Sequence, residues 1–147
     1  MNIPMQSLIT DNITELLFKI IGFTQTRQKV LIQNINNVHT PGFVPCDLTV
    51  NEFADSLNTA INEHIQNQRL VLCDGENVKF GIGGSLELKA VPDKYAGKIL
   101  EENPDEYLDM QINKLLENSL NQKMAAELLK QKEEMSSVSE QSEPRPF

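Results

Sequence analysis

The sequence has no tryptophan, only two cysteines and two histidines, and no apolar run longer than eight residues. Each shortage excludes something. Aromatics make up 5% of the 147 residues, so a core must be built mainly from Leu, Ile, Val and Ala, which suits helix seams better than a bulky globular interior. The longest apolar run, residues 16–23, contains Lys19; a bilayer core needs about 20 apolar residues, so no direct membrane insertion is expected. Cys46 and Cys73 have no CxxC partner, and two unpaired, reduced thiols are expected in place of a disulfide framework. His39, His64, Cys46 and Cys73 do not sit at paired zinc-ligand spacing, so no metal site is expected. With no G-x-S-x-G nucleophile signature and so few histidines, general-base chemistry is sparse. The sequence yields no catalytic residue and no cofactor-binding residue, and it reads as a non-enzyme with no cofactor.

Basic side chains are also in deficit: 13 against 21 acidic ones, a formal net charge of −8. Residues 1–68 carry a net −3, residues 69–100 a net +1 and residues 101–135 a net −5. No stretch is a basic patch, which argues against nucleic acid and against an anionic membrane surface as partners. Residues 1–7 show neither a basic n-region nor an apolar h-region, so a cleaved signal peptide is not expected. The chain then either stays in the cytoplasm or leaves by a route that reads no such peptide. Gly81, Gly83 and Gly84 stand in a G-I-G-G run that lacks the Walker lysine and reads as a turn. Glu101, Glu102, Asp105 and Glu106 cluster at a helix start, where the dipole favours carboxylates without any catalytic role.

What the sequence does contain is helix periodicity. A chain of this length can bury roughly 70% of its unfolded surface. Asn12 and Glu15 have capping-box spacing, and Leu16, Leu17, Ile20, Ile21, Phe23, Val30, Leu31, Ile35 and Val38 recur at helical intervals. The polar group 24–28 interrupts them. This predicts a helix over about 12–38, roughly 39 Å long, ended by Asn34, Asn36 and Asn37. Pro41-Gly42 has the composition of a type II turn. An extended run follows to Val50, with Pro45 marking it as an edge or irregular strand. A second capping box, Thr49 with Glu52, opens a shorter helix over about 51–67, striped by Phe53, Leu57, Ala60, Ile61 and Ile65. Residues 69–73 read as a strand, Asp74-Gly75 as a hairpin turn with 77–80 returning, and 85–91 as a half-buried strand. Residues 92–103 read as a link. Asn103-Pro104-Asp105-Glu106 combines an N-cap with a first-turn proline. It opens a helix to about 134 with Leu108, Ile112, Leu115, Leu116, Leu120, Met124, Ala125, Leu128 and Leu129 on one broad side.

The expected fold is mainly α. Long N- and C-terminal amphipathic helices pair as an antiparallel coiled coil or bundle, with a short helix and a small β-hairpin region between them. The expected segments are 1–50 (N-terminal helix and turn), 51–102 (middle helix and β region), 103–135 (C-terminal helix) and 136–147 (a disordered polar tail). Both terminal helices carry wide apolar sides, represented by Leu17, Ile21, Leu31, Ile35 and Val38 on the first and Ile112, Leu115, Leu116, Leu120 and Leu128 on the second. Wide sides suit more than one neighbour.

The most specific feature is the run from Asn34 to Phe43. Asn34, Asn37, Thr40, Pro41, Gly42 and Phe43 match an Asn-x-Ala-Asn-x-x-Thr-Pro-Gly-aromatic pattern, with Asn36 at the small-residue position and His39 where Asn or Asp is commoner. On these residues the chain resembles the bacterial flagellar axial proteins of rod, hook and hook-associated structures. Asp47-Leu48 and the Glu117-Asn118-Ser119-Leu120 run are similar to the proximal rod members, as is the short total length. The resemblance covers about residues 10–55 and 103–130; residues 68–100 match nothing in it. It implies a structural subunit of the periplasmic rod of the flagellar basal body, self-assembling for motility. Its partners would be other copies of itself, neighbouring flagellar rod proteins and the flagellar type III export apparatus. The alternative from the same acidity and apolar stripes is a cytoplasmic helical adaptor or export-chaperone-type protein with a groove for one partner helix.

Overall fold

A computed structural model describes residues 5–81 and 85–141 of the chain, and the side chains of residues 12–81 and 85–135. It is mainly helical. Helix α1 spans Met5–Asn36, strand β1 Cys46–Asp47, helix α2 Val50–Asn67, strands β2 and β3 Val78–Phe80 and Leu86–Leu88, strand β4 Val91–Pro92, helix α3 Lys94–Glu102 and helix α4 Pro104–Gln141. The strands form two antiparallel pairs, β1 with β4 and β2 with β3.

The helix stops follow the local chemistry. At the end of α1, the Phe43 amide donates to the Thr40 carbonyl at 3.2 Å, and Gly42 lies at φ 73°. That is a type II turn, with glycine at the one position that needs a positive φ. Asn103 caps α4: its side-chain oxygen accepts from the Glu106 amide at 3.2 Å. At α2 the expected capping box takes another form. The Thr49 hydroxyl donates to the Glu52 carboxylate at 2.6 Å and caps no amide, and the other Glu52 oxygen accepts from the Asn77 amide at 3.0 Å. These bonds hold the Glu52 carboxyl below its ordinary pKa, Thr49 contributing most. They also staple the start of α2 to the loop before β2.

Several expectations are corrected. Helix α1 begins at Met5, so residues 10–12 lie inside it, and the Asn12 side chain is not a cap but donates to the Gln68 carbonyl at 3.3 Å. Residues 5–12 contain no Pro or Gly to stop the helix, and extending an existing helix costs far less than nucleating one. Residues 69–73 are not a strand, and the hairpin turn is not at Asp74-Gly75 but between β2 and β3, where residues 82–84, including Gly83 and Gly84, lie outside the described residues. Residues 74–78 instead close a tight loop, with the Gly75 amide donating to the Val78 carbonyl and the Asp74 carboxylate accepting from the Phe80 amide. The expected link over 92–103 contains α3, whose first turn is capped by Asp93 accepting from the Ala96 amide at 3.0 Å. Helix α4 continues to Gln141 where a disordered tail was expected from residue 136; no Pro or Gly interrupts the sequence until Pro144, so propagation carries on. Residues 142–147 of that tail lie outside the described residues.

The main apolar cluster joins Phe23 of α1, Leu48, Phe53 of α2 and Val78 of β2, with Ile20, Leu57, Phe80, Leu86 and Leu88 packed around it. Phe23 and Phe53 stack with centroids 4.1 Å apart. A smaller cluster of Ala96, Ile99 and Tyr107 seats α3 on the start of α4. The hairpin is fixed to α1 by Lys19, which is fully buried and donates to the carbonyls of Gly81 and Ser85 at 3.2 and 2.9 Å while pairing with Glu15 at 3.4 Å. The middle segment thus covers one side of α1.

Phe53→Ala removes the ring that joins α1, α2 and the hairpin, and is expected to cost about 3–5 kcal/mol. Urea unfolding followed by circular dichroism measures it; a loss under about 1 kcal/mol would show that the stack does not organise the core.

Candidate functional site

The residues of the turn motif divide into two groups. Asn37 and Thr40 close the helix end locally: the Thr40 hydroxyl donates to the Asn37 side-chain oxygen at 3.0 Å, and the Asn37 amide group donates to the Gln33 carbonyl at 2.8 Å. Pro41 and Gly42 form the exposed turn itself and Phe43 is half-buried after it. Asn34 reaches much further. Buried at 2% exposure, it donates from Nδ2 to the Cys46 carbonyl at 2.7 Å and to Gln111 Oε1 at 2.9 Å, and accepts at Oδ1 from the Cys46 amide at 3.2 Å. Its backbone carbonyl accepts from the Tyr107 hydroxyl at 2.8 Å. One side chain therefore mimics a strand partner for β1 and grips α4 at once.

Further along, the Asn118 amide group donates to the Thr24 carbonyl at 2.8 Å. That carbonyl belongs to the middle of α1, where the Thr24 hydroxyl bonds back to the carbonyls of Ile20 and Ile21. The polar interruption at 24–28 is thus a docking point on an unbroken helix. Partner numbers fall along α1, from 34 to 24, as they rise along α4, from 107 and 111 to 118. The buried residues of α4 are Tyr107, Gln111, Asn118 and Ala125, while Leu108, Leu115 and Leu129 of the same helix are half-buried. Gln111 Nε2 is buried there and finds no partner among the described residues.

A charged node sits beside this seam. Arg27 grips Asp47 with two parallel bonds of 2.9 Å, and Lys114 of α4 bridges Asp47 at 3.5 Å and Asp93 at 2.9 Å. Burial pushes the Asp93 carboxyl up, but the Lys114 ammonium and the Ala96 amide outweigh it and hold the group below its ordinary pKa. Asp93 therefore favours the folded chain above its ordinary pKa of 3.8, an advantage lost as the pH falls through its lowered folded value. Asp47 and Asp93 thereby link α1, β1, α3 and α4. The arrangement is a structural clamp. Cys46 is half-buried and Cys73 exposed, both unpaired, and no group of His, Cys, Asp and Glu among the described residues is placed to hold a metal ion. No helix among the described residues is long and apolar enough to cross a membrane.

The predicted apolar residues are distributed unequally. On α1, Leu17 and Leu31 are buried and Ile21 and Ile35 half-buried; Val38, expected on the same helix, lies in the turn after it and is half-buried. On α4, Leu115 is half-buried, but Ile112, Leu116, Leu120, Met124 and Leu128 are exposed, with Leu116 and Leu120 at 59% and 62%. They follow one another at intervals of four. Successive members turn about 40° around the helix, so the row starts on the outer face and winds towards the α2 side. There Met124 and Leu128 become one wall of an open groove of about 340 Å³. Leu17, Ile20, Phe23 and Thr24 of α1 form another wall, and Val50, Phe53, Ala54 and Leu57 of α2 the third. Periodicity found the apolar row but could not tell that its polar neighbours face the partner helix. The seam residues that the sequence reading missed are Gln111 and Lys114; Asn118 entered it only through the Glu117–Leu120 resemblance.

Scans of protein-family models, of curated proteins and of solved structures found no match to this chain.

Two measurements test the clamp. Asn34→Ala strands the Cys46 amide, the Cys46 carbonyl and Gln111, each worth about 1–3 kcal/mol when buried without a partner, so a loss of about 3 kcal/mol is expected. The exposed-turn variant Asn37→Ala should lose about 1 kcal/mol or less; equal losses would remove the distinction between the two motif asparagines. The Tyr107 hydroxyl is pushed up to about 12 by burial and then by the Asp93 carboxylate, against an ordinary 10.0. Its share of stability is complete below pH 10 and disappears as the pH rises through about 12, because the unfolded chain ionises first. Urea midpoints across that window should fall more steeply for the parent chain than for Tyr107→Phe; parallel curves would overturn the assignment.

Proposed function

We propose that this chain is an assembling structural subunit of the bacterial flagellar basal-body rod, of the proximal FlgB type, whose long helices pair as an antiparallel coiled coil. The observation that carries the reading is the mixed character of α4: Gln111 and Asn118 hydrogen-bond to α1, while Ile112, Leu116 and Leu120 stand exposed to water. Ile112, Leu116 and Leu120 follow one another on the exposed side of α4, and contiguous exposed apolar patches mark interaction sites. The Thr40-Pro41-Gly42 turn and the falling and rising pairing of α1 and α4 support the family resemblance. The buried Leu17 and Leu31 contribute to the subunit's own packing, so the apolar surface offered to sister molecules and to neighbouring rod proteins belongs chiefly to α4. Export through the flagellar type III apparatus and a periplasmic location follow from the resemblance alone.

A second reading, a helical adaptor or export-chaperone-type protein, is favoured by the three-walled groove, which has the form of a seat for one partner helix. Concentration dependence separates the two. A rod subunit polymerises with concentration, whereas an adaptor stays a discrete monomer or dimer.

Leu116→Glu and Leu120→Glu place charge on the exposed row without touching the core. Each should change monomer stability by no more than about 0.5 kcal/mol while abolishing sedimenting assemblies. Polymerisation that survives both substitutions would refute the role given to α4. Hydrogen exchange adds a check: strong protection of both long helices over their whole length in dilute monomer would count against ordering on assembly.

A further inference from the structure

We propose that the free edge of β3 is an interface on which a second copy of this chain lays its own β3, antiparallel, to make a four-stranded sheet. The way the other strand edges are closed points to it. In an antiparallel pair, residues alternate between bonding the partner strand and turning their backbone groups away from it. The Asp93 amide donates to the Pro45 carbonyl at 2.9 Å, so Cys46 and Pro92 are the outward residues of β1 and β4. Asn34 takes both backbone groups of Cys46, and Pro92 has no amide to give. In the hairpin the Gly81 amide donates to the Ser85 carbonyl and the Lys89 amide to the Asn77 carbonyl. Val78 and Phe80 therefore point outward from β2, and Leu86 and Leu88 from β3. The Val78 carbonyl accepts from the Gly75 amide at 2.8 Å, and the Phe80 amide donates to Asp74 at 2.9 Å. Among the described residues no hydrogen bond reaches the outward backbone groups of Leu86 and Leu88. Three edges are closed and one stands open.

The side chains of β3 identify the occupant. Glu87 and Lys89 are exposed on one face, while Leu86, Leu88 and Ala90 are half-buried against the main apolar cluster. A lysine on an edge strand ordinarily discourages an incoming strand. In a two-fold pair centred on Leu88, Glu87 of each copy stands opposite Lys89 of the other, so both charges are matched. The neighbouring symmetric registers, centred on residue 87 or residue 89, set like charges directly opposite, which destabilises a pair. The charge pattern thus accepts a second copy and selects one register. In that register Leu88 exchanges two backbone bonds with its counterpart, and the apolar faces of the two hairpins run on across the joint. A lone two-stranded hairpin is marginal, whereas more strands with one apolar face are stable. The contact is isologous and closes on two copies. It uses no residue of the α4 row.

Sedimentation of the full chain carrying Leu116→Glu, which silences assembly through α4, tests the contact. Dimer is expected as the concentration rises, with the Leu88 amide exchanging its hydrogen more slowly as it forms. Adding Glu87→Lys or Lys89→Glu changes an exposed side chain only and sets like charges opposite at both ends of the joint. Each should weaken the dimer about tenfold. The double exchange should restore it, and an equimolar mixture of the two single reversals should associate more tightly than either alone. Dimer indifferent to the reversals, or monomer at every concentration, overturns the β3 contact. Neither result bears on the α4 row, whose test is polymerisation without Leu116→Glu.

Discussion

The polar grip of α4 on α1 is the constraint from which the rest of the arrangement follows. A pair of long helices usually meets through aliphatic side chains, whose burial supplies free energy in proportion to area but tolerates sliding. Here Asn34 with Gln111, the Asn34 carbonyl with Tyr107, and Thr24 with Asn118 set the meeting points. Each such bond nets only about 1 kcal/mol, yet a slip by one residue would leave several buried groups unpaired at about 1–3 kcal/mol each. The seam therefore gives register more than bulk stability. Bulk comes from the other side of α1, where Phe23, Phe53 and Val78 are buried.

This division of labour frees the remaining surface of α4. Leu108 packs on the Ala96, Ile99 and Tyr107 cluster and Leu115 and Leu129 are half-buried, while Ile112, Leu116, Leu120 and Met124 stand in water. The charged node reinforces the same geometry: Lys114 is drawn to Asp47 and Asp93, which turns the neighbouring Ile112 and Leu116 outward. Lys19 plays the matching part on α1. It sits in the longest apolar run of the sequence, but its ammonium accounts for two hairpin carbonyls and so brings the middle segment onto α1.

How much of this was legible in the sequence depends on whether a feature is local. The Thr40-Pro41-Gly42 turn, the cap at Asn103 and the extent of α2 were readable because a few adjacent residues determine them. The breadth of the apolar side of α4 was readable too, but its direction was not. Periodicity assigns the apolar side to the interior by default, and the stripe of Leu108, Ile112, Leu115 and Leu116 does not say which of its members face a partner. Only the partners of Gln111 and Asn118, which lie 77 and 94 residues away in sequence, and those of Lys114 settle it. The hairpin was misplaced for a related reason. Asp74-Gly75 has the right turn chemistry, but Glu52 of α2 takes the Asn77 amide and holds that loop to itself, so pairing begins at Val78.

An outward aliphatic row on a helix fixed in register has a consequence for cooperativity. If α4 were held to α1 by aliphatic contacts, a monomer could rotate the helix and hide the row at little cost, and association would compete with that collapse. The polar clamp removes the option: turning α4 to bury Leu116 and Leu120 would break the Tyr107, Gln111 and Asn118 bonds together. The row stays presented, so the association proposed above would meet a preformed surface and cost less ordering. The same clamp makes the row's orientation depend on Asn34, a buried residue of the turn motif.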